Sequence, residues 1–150
     1  MVENKIIIPN EVHRLIEFRQ RDLPGFATVN CALQMFKFKA AYPWHLSVLI
    51  KCANLVEHRL PSPQEQSVLY RFEDQIGALI KENGNALFLA RVKHNAYREL
   101  MWRVRLPDVA NSMIQEIILG KNYPREFDYR IEEDPEWEKA SWYLDGACES

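Results

Sequence analysis

The sequence predicts an α+β fold, an antiparallel sheet with helices packed on one face, and three observations lead there. Segments 29–35 and 46–52 alternate apolar and polar residues as half-buried strands do. Segments beginning at Ser62-Pro63 and at Pro107-Asp108 carry helix start signals, a helical apolar stripe and a glycine at the far end. Segment 85–105 reads as a hairpin with the turn at His94-Asn95-Ala96. The 150 residues are 47% hydrophobic and 27% charged, with a formal net charge of −2, which excludes disorder, collagen and a disulfide scaffold as global descriptions. A chain of this length buries about 70% of its unfolded surface, so its core needs no metal or disulfide staple. No apolar run approaches the roughly 20 residues of a membrane span, and Met1 to Asn10 lacks the pattern of a signal peptide. A cytoplasmic location without membrane association is therefore expected. Three cysteines, Cys31, Cys52 and Cys148, are an odd number at scattered positions and fit reduced thiols.

The elements follow in order. Asn10 is expected to cap a first helix through about Arg21, with Val12, Leu15 and Ile16 as its stripe and Pro24-Gly25 as its stop. Two alternating strands come next. Val29, Cys31, Leu33 and Met35 share a face of one, and Leu46, Val48, Ile50 and Cys52 share a face of the other. A hairpin centred between Ala41 and Tyr42 sets Met35 opposite Val48, Leu33 opposite Ile50 and Cys31 opposite Cys52. The helix after Ser62 buries Val68, Leu69, Phe72, Ile76, Leu79 and Ile80, with Glu65 in the capping-box position and Gly84 just past its end. In the second hairpin, centring the turn on Asn95 pairs Phe88 with Trp102, Ala90 with Leu100 and Arg91 with Glu99. The helix at Pro107-Asp108 buries Val109, Met113, Ile114, Ile117 and Ile118 and stops in the left-handed region at Gly120. The final strand points Phe127, Tyr129 and Ile131 inward and Glu126, Asp128, Arg130 and Glu132 outward. Asp134-Pro135 then starts a short helix with Trp137 on its apolar side, a contact Trp142 extends.

The interior order β-α-β-β-α-β is that of ferredoxin-like sandwiches. The expectation is thus a single domain over 1–150, with an N-terminal helical extension (1–25), an α+β core (26–132) carrying one extra strand, and a C-terminal short helix and tail (133–150). The extra strand poses a conflict. In the usual ferredoxin-like order the strand after it lies inside the sheet, so either the order differs or the hairpin of 26–52 bends away.

Charge is unevenly distributed. From Glu126 to Ser150 nine acids face two bases, which leaves the first 125 residues net positive by five. The four histidines lack metal-ligand spacing, and no phosphate cradle, nucleophile elbow or metalloprotease motif is present. No metal, cofactor or catalytic residue is therefore assigned. The best enzymatic constellation is His94 with Arg98, Glu99 and the Glu132, Glu133, Asp134 cluster, yet each of these already has a structural role by local rules. The basic stretch Arg91, Lys93, Arg98, Arg103 and Arg105 reads as the solvated side of a strand pair whose other side holds Leu100, Trp102 and Val104. A broad basic footprint for nucleic acid is missing.

Residues 87–137 resemble the bacterial domain-of-unknown-function family numbered 695. The resemblance is carried by Tyr97-Arg98-Glu99-Leu100-Met101-Trp102-Arg103-Val104, by Tyr123-Pro124-Arg125-Glu126-Phe127 and by the distinctive Asp134-Pro135-Glu136-Trp137. Where the family tends to place glycine, this chain has His94-Asn95-Ala96, and Asn95 supplies the left-handed angle. The family is similar in topology to the bacterial regulator of ribonuclease E activity, a ferredoxin-like binder. The resemblance implies a protein-binding adaptor or inhibitor, with Trp102 as core, Asp134-Pro135 as a helix start and Trp137 as its anchor.

The reading that follows is a non-enzymatic protein-binding or regulatory protein, of the kind that neutralises a cognate toxin or nuclease as an immunity protein or inhibitor does. Its binding surface is expected at Glu126, Asp128, Glu132, Glu133, Asp134 and Glu136, facing a basic protein partner. The alternatives are a small hydrolase or other enzyme using His94 and a homodimer built through an exposed edge strand.

Overall fold

Strand pairing over long sequence distances organises this chain. The computed structural model describes residues 6–148. Its elements are β1 (His13–Gln20), β2 (Leu23–Asn30), β3 (Trp44–Lys51), β4 (Leu55–Val56), β5 (Leu60–Pro61), α1 (Pro63–Ile80), β6 (Ala86–His94), β7 (Tyr97–Val104), α2 (Pro107–Leu119), β8 (Phe127–Glu133) and α3 (Glu138–Ala147), joined by short 3-10 turns. Six strands form one sheet in the order β1-β2-β6-β7-β3-β8 with all neighbours antiparallel, and β4 and β5 form a separate small ribbon.

The two faces of the sheet carry different cores. On one, α1 and α2 bring Leu69, Phe72, Ile76, Ile114 and Ile117 onto Leu46, Val48, Ile50, Phe88, Leu100, Trp102 and Val104. On the other, Trp137, Ala140 and Leu144 of the α3 region lie on Ala27, Val29, Leu87, Leu89 and Met101. Helices therefore cover both faces, and the expectation of helices on one face is corrected. The last helix crosses over because Asp134 and Trp137 are tied to the opposite side from α1.

The expected N-terminal helix is a strand. Val12, Leu15 and Ile16 fit a helical stripe, but Ile16 and Phe18 alternate as well, and that pattern wins because β1 pairs with β2 along its whole length. Arg21 and Asp22 take the left-handed angles that a two-residue hairpin needs (φ 55° and 60°). Pro24-Gly25 lies inside β2 and stops nothing; a Cβ on Gly25 would overlap the Phe18 ring opposite it.

The expected pairing of 29–35 with 46–52 is also corrected. The chain leaves β2 at Asn30, whose side chain accepts from the amides of Val12 and Ala32 and donates to the Phe88 carbonyl. Residues 31–33 then form a 3-10 turn, and Met35 is exposed. β2 joins β6 at the far edge, so the extra strands never compete with β3, which stays between β7 and β8. Cys31 is consequently far from Cys52. It forms a disulfide with Cys148, while Cys52 is free and buried in the α1–α2 core. The reading of three reduced thiols fails for this pair because β2 and the end of α3 converge.

In the β6–β7 hairpin the turn is Asn95-Ala96, both left-handed (φ 48° and 70°), and Arg59 Nε donates to Asn95 Oδ1 at 2.6 Å. Phe88 faces Trp102 as expected. A bulge at Leu89 then shifts the register, so Ala90 faces Met101, Arg91 faces Leu100 and Val92 faces Glu99. The extra residue puts both Leu89 and Ala90 against α3 and turns Arg91 toward α1. At the end of α2, Gly120 stays in the right-handed region (φ −78°) and Lys121 takes the positive angle (φ 52°).

Candidate functional site

Three buried ion clusters account for residues that sequence alone places on the surface. Glu73 of α1 accepts from Arg91 through both oxygens and from Arg98 Nη2 at 3.0 Å, and the Arg98 guanidinium stacks over Tyr70 at 4.3 Å. Glu65, buried at the start of α1, accepts from Arg125 Nε and Nη2 at 2.8 and 2.6 Å and from the Ala53 amide. Arg125 foremost, with burial opposing, holds the Glu65 carboxyl down to about 2. The capping box is thus half formed, since Ser62 accepts from the Glu65 amide while the Glu65 carboxylate is engaged elsewhere.

The third cluster explains the Asp-Pro-Glu-Trp segment. Arg103, with no exposed surface, donates from Nη1 to Asp134 Oδ2 at 2.8 Å and from Nη2 to the Asp134 and Tyr42 carbonyls. Its guanidinium lies 4.5 Å from the Trp137 ring, whose indole N–H donates to the carbonyls of Tyr42 and Lys39. Asp134 also accepts from the amides of Glu138 and Lys139, which caps α3. Burial raises the Asp134 carboxyl, and the hydrogen bonds from Arg103 and these amides outweigh it, so the net direction is down. Trp102 is core, Asp134-Pro135 begins the turn into α3 and Trp137 anchors it. The expectation of a solvated face for Arg91, Arg98 and Arg103 is corrected: each is drawn inward by a carboxylate.

Because α3 covers the β1–β2–β6 side of its face, the β7–β3–β8 side of that face lies open. Side chains there form rows across three strands: Glu99–Leu49–Asp128, then Met101–Ser47–Arg130, then Arg103–His45–Glu132. Adjacent strands lie about 4.8 Å apart, so Glu99 and Asp128 stand roughly 10 Å apart across Leu49. Lys139, Trp142 and Tyr143 of α3 wall this groove, which encloses about 720 Å³. A second arm of about 570 Å³ continues past Glu99 and Leu49 to Tyr97, His94, Arg19 and Arg21.

The electrostatics of the groove separate satisfied from available charge. Glu132 pairs with both Arg130 (3.2 Å) and Lys139 (2.9 Å). Glu99 accepts from the Ser47 hydroxyl at 2.6 Å, and neither it nor Asp128 has a basic partner among the described residues. His45, at the closed end, is pushed down to about 4 by burial and then by Arg103, which keeps it neutral at pH 7. Burial, with Glu99 adding, raises the Tyr143 phenol to about 12. Trp142 is 61% exposed, edge-on to Tyr143 at 4.8 Å between centroids, and does not extend the Trp137 contact.

Of the six acids singled out from the sequence, Asp128 and Glu132 line the groove. Glu126, Glu133 and Glu136 are exposed just before, at the end of and beyond β8, and Asp134 is buried against Arg103. The enzymatic constellation is not assembled: His94 and Glu99 share the second arm, with His94 Nε2 2.9 Å from the Gln20 carbonyl, whereas Arg98 faces α1 across the sheet. Sequence reasoning offers Glu99 only beside His94, and it does not reach Leu49 or Trp142 as site residues. The strand alternation that puts Leu49 opposite the core was visible, but the two long-range pairings that align it with Glu99 and Asp128 were not.

No group of three or more His, Cys, Asp or Glu residues is placed to hold a metal among the described residues, and no described helix is long and apolar enough to cross a membrane. Fold and site together define an antiparallel α+β protein with one half-sheet left open as a polar and aromatic groove. The model of a family of unknown function (DUF695) matches residues 19–145, and the chain belongs to that family. No curated protein and no solved structure matches the chain.

Proposed function

We propose that this is a non-enzymatic protein-binding module whose α3-side groove takes an extended segment of a partner protein presenting a lysine or arginine. The observation that carries the reading is the Glu99–Leu49–Asp128 row under Trp142. Two carboxylates with no basic partner among the described residues flank an exposed leucine, and an exposed indole stands on the adjoining wall. A long basic side chain fits this chemistry, with its apolar stem on Leu49 and its cation between the carboxylates and within reach of the ring. Tryptophan and tyrosine are also among the residues that most often carry the energy of protein interfaces. Arg19 and Arg21 at the far arm set a direction, favouring an acidic residue toward the β1–β2 turn.

Strands β3, β6, β7 and β8, with α1 and α2, are read as a ferredoxin-like unit, supported by their order β6-β7-β3-β8. Inhibition of a toxin or nuclease, as an immunity protein does, is the form of binding that an acid-lined groove facing a basic target favours.

The test is selection of a displayed random-peptide library on the purified protein. Selected peptides should carry a basic residue, bind more weakly as salt rises, and lose about tenfold in affinity, roughly 1.4 kcal/mol, for the double variant Glu99→Gln/Asp128→Asn. Peptides without basic residues, or equal affinity for the double variant, would contradict the assignment.

A further inference from the structure

We propose that Cys31 and Cys148 form a reversible thiol–disulfide latch that sets how firmly the C-terminal half of α3 is held against the sheet. The bond joins the exit of β2 to the residue after α3 across a sequence separation of 117, with the Cα atoms 5.5 Å apart. The two ends of α3 are held in different ways. Its N-terminal end is fixed by the Asp134 cap, the Arg103 pair and the Trp137 indole. Its C-terminal end rests on Leu144, Ala147 and the disulfide; the Cys148 amide donates only within the helix, to Leu144. Trp142 and Tyr143, the groove wall, lie between these two anchorages.

The rest of the fold stands without the bond. The α1–α2 core contains neither cysteine, and β1 and β2 are held by their own ladder and by β6. Opening the latch therefore frees the last turns of α3 and leaves the sheet intact. Cys31 is half-buried, the more exposed of the two bonded cysteines. Cys52 lies on the opposite face, buried, with its thiol raised to about 11 by burial foremost, so it takes no part.

The chemistry balances with a small disulfide such as oxidised glutathione. The Cys31 thiolate attacks one glutathione sulfur, breaking its S–S bond and releasing one glutathione thiolate. The Cys148 thiolate then displaces the second from the mixed disulfide. Two protein thiols lose two protons and two electrons, and glutathione disulfide becomes two thiols. Excess reduced glutathione runs the sequence backward.

The consequence for binding rests on the docking role of the groove; the latch itself does not, so its test needs no partner. The full chain is equilibrated with oxidised or reduced glutathione, alkylated and weighed intact, and the amide hydrogen exchange of residues 138–148 is measured in each form. In the oxidised form two thiols should be lost together with Cys52 still alkylatable after denaturation, and excess reduced glutathione should restore them. Exchange in 141–148 should be at least tenfold faster in the reduced form, and equally fast in Cys31→Ser and Cys148→Ser under oxidising conditions, with Cys52→Ser behaving as wild type. Cys31 and Cys148 remaining alkylatable after oxidation, a bond that excess thiol does not open, or exchange within twofold between the two forms would each overturn the proposal. If the groove binds no peptide yet the exchange responds, docking fails and the latch stands.

Discussion

Replacing Asp134 with alanine strands the Arg103 guanidinium in the core. Arg103 has no exposed surface, and Asp134 gives it the only carboxylate within ion-pair distance among the described residues, at 2.8 Å. Breaking one partner of a buried pair costs about 3–5 kcal/mol, because the remaining charge has neither water nor counter-ion. The same carboxylate caps α3 through the Glu138 and Lys139 amides, and losing such a cap costs about 1 kcal/mol more. Against a domain stability of about 5–15 kcal/mol, Asp134→Ala should remove about a quarter or more. Urea unfolding at pH 7, followed by tryptophan fluorescence and far-ultraviolet circular dichroism, measures the loss as a shift in midpoint. The double variant Arg103→Met/Asp134→Ala removes the stranded charge along with its partner and should recover most of the pair's share, leaving mainly the cap and packing losses. A cost below about 1 kcal/mol for Asp134→Ala, or a double variant no more stable than that single one, would refute the view that this pair locks α3 to the sheet.

Three further outcomes follow from the same geometry. The Glu65 carboxyl, held down to about 2 by Arg125 against an ordinary value of 4.5, contributes stability that is complete above pH 4.5 and is lost as pH falls toward 2. On the order of 2 kcal/mol should disappear between pH 5 and 3, and Glu65→Gln, less stable at neutral pH, should lack this part of the acid limb in urea titrations. His45, pushed down to about 4 from 6.5 by burial, is favoured neutral in the fold, so its contribution is full above pH 6.5 and falls toward pH 4. Roughly 1.5 kcal/mol should be lost between pH 6.5 and 5, and a His45→Gln variant that keeps the same slope there would show another group to be responsible. Cys31→Ser should lower stability by about 2–5 kcal/mol in oxidising buffer, as expected for opening a loop of this length, and should match wild type when thermal or urea unfolding is repeated with excess dithiol.

The elements that local chemistry specifies were readable from the sequence. Ser62-Pro63 starts α1 and Pro107 starts α2, the alternation of Leu46, Val48 and Ile50 marks β3, and Phe127, Tyr129 and Ile131 point inward from β8. What was hidden depends on partners far along the chain. Val12, Leu15 and Ile16 suit a helix locally, and only the β2 ladder makes Ile16 and Phe18 a strand face. One inserted residue at Leu89 changes which acid meets Arg91, and alternation alone does not reveal a bulge. Cys31 meets Cys148 across almost the whole sequence. The site was legible by half. The outward acids of β8 stand out as a charge run and Asp134 as a helix start, whereas the pairing that draws Asp134 inward to Arg103 depends on β7, and Glu99 joins Asp128 only through β3.

The docking role of the α3-side groove is most directly tested by placing a photo-cross-linking amino acid at position 142 and irradiating the source cells. A discrete protein adduct should form from position 142, with the cross-link mapped beside a lysine or arginine of the partner. It should be absent from position 70 on the α1 side and be suppressed when Glu99→Gln/Asp128→Asn is added. No adduct from position 142, or an adduct indifferent to the loss of both carboxylates, would contradict the groove as the binding site.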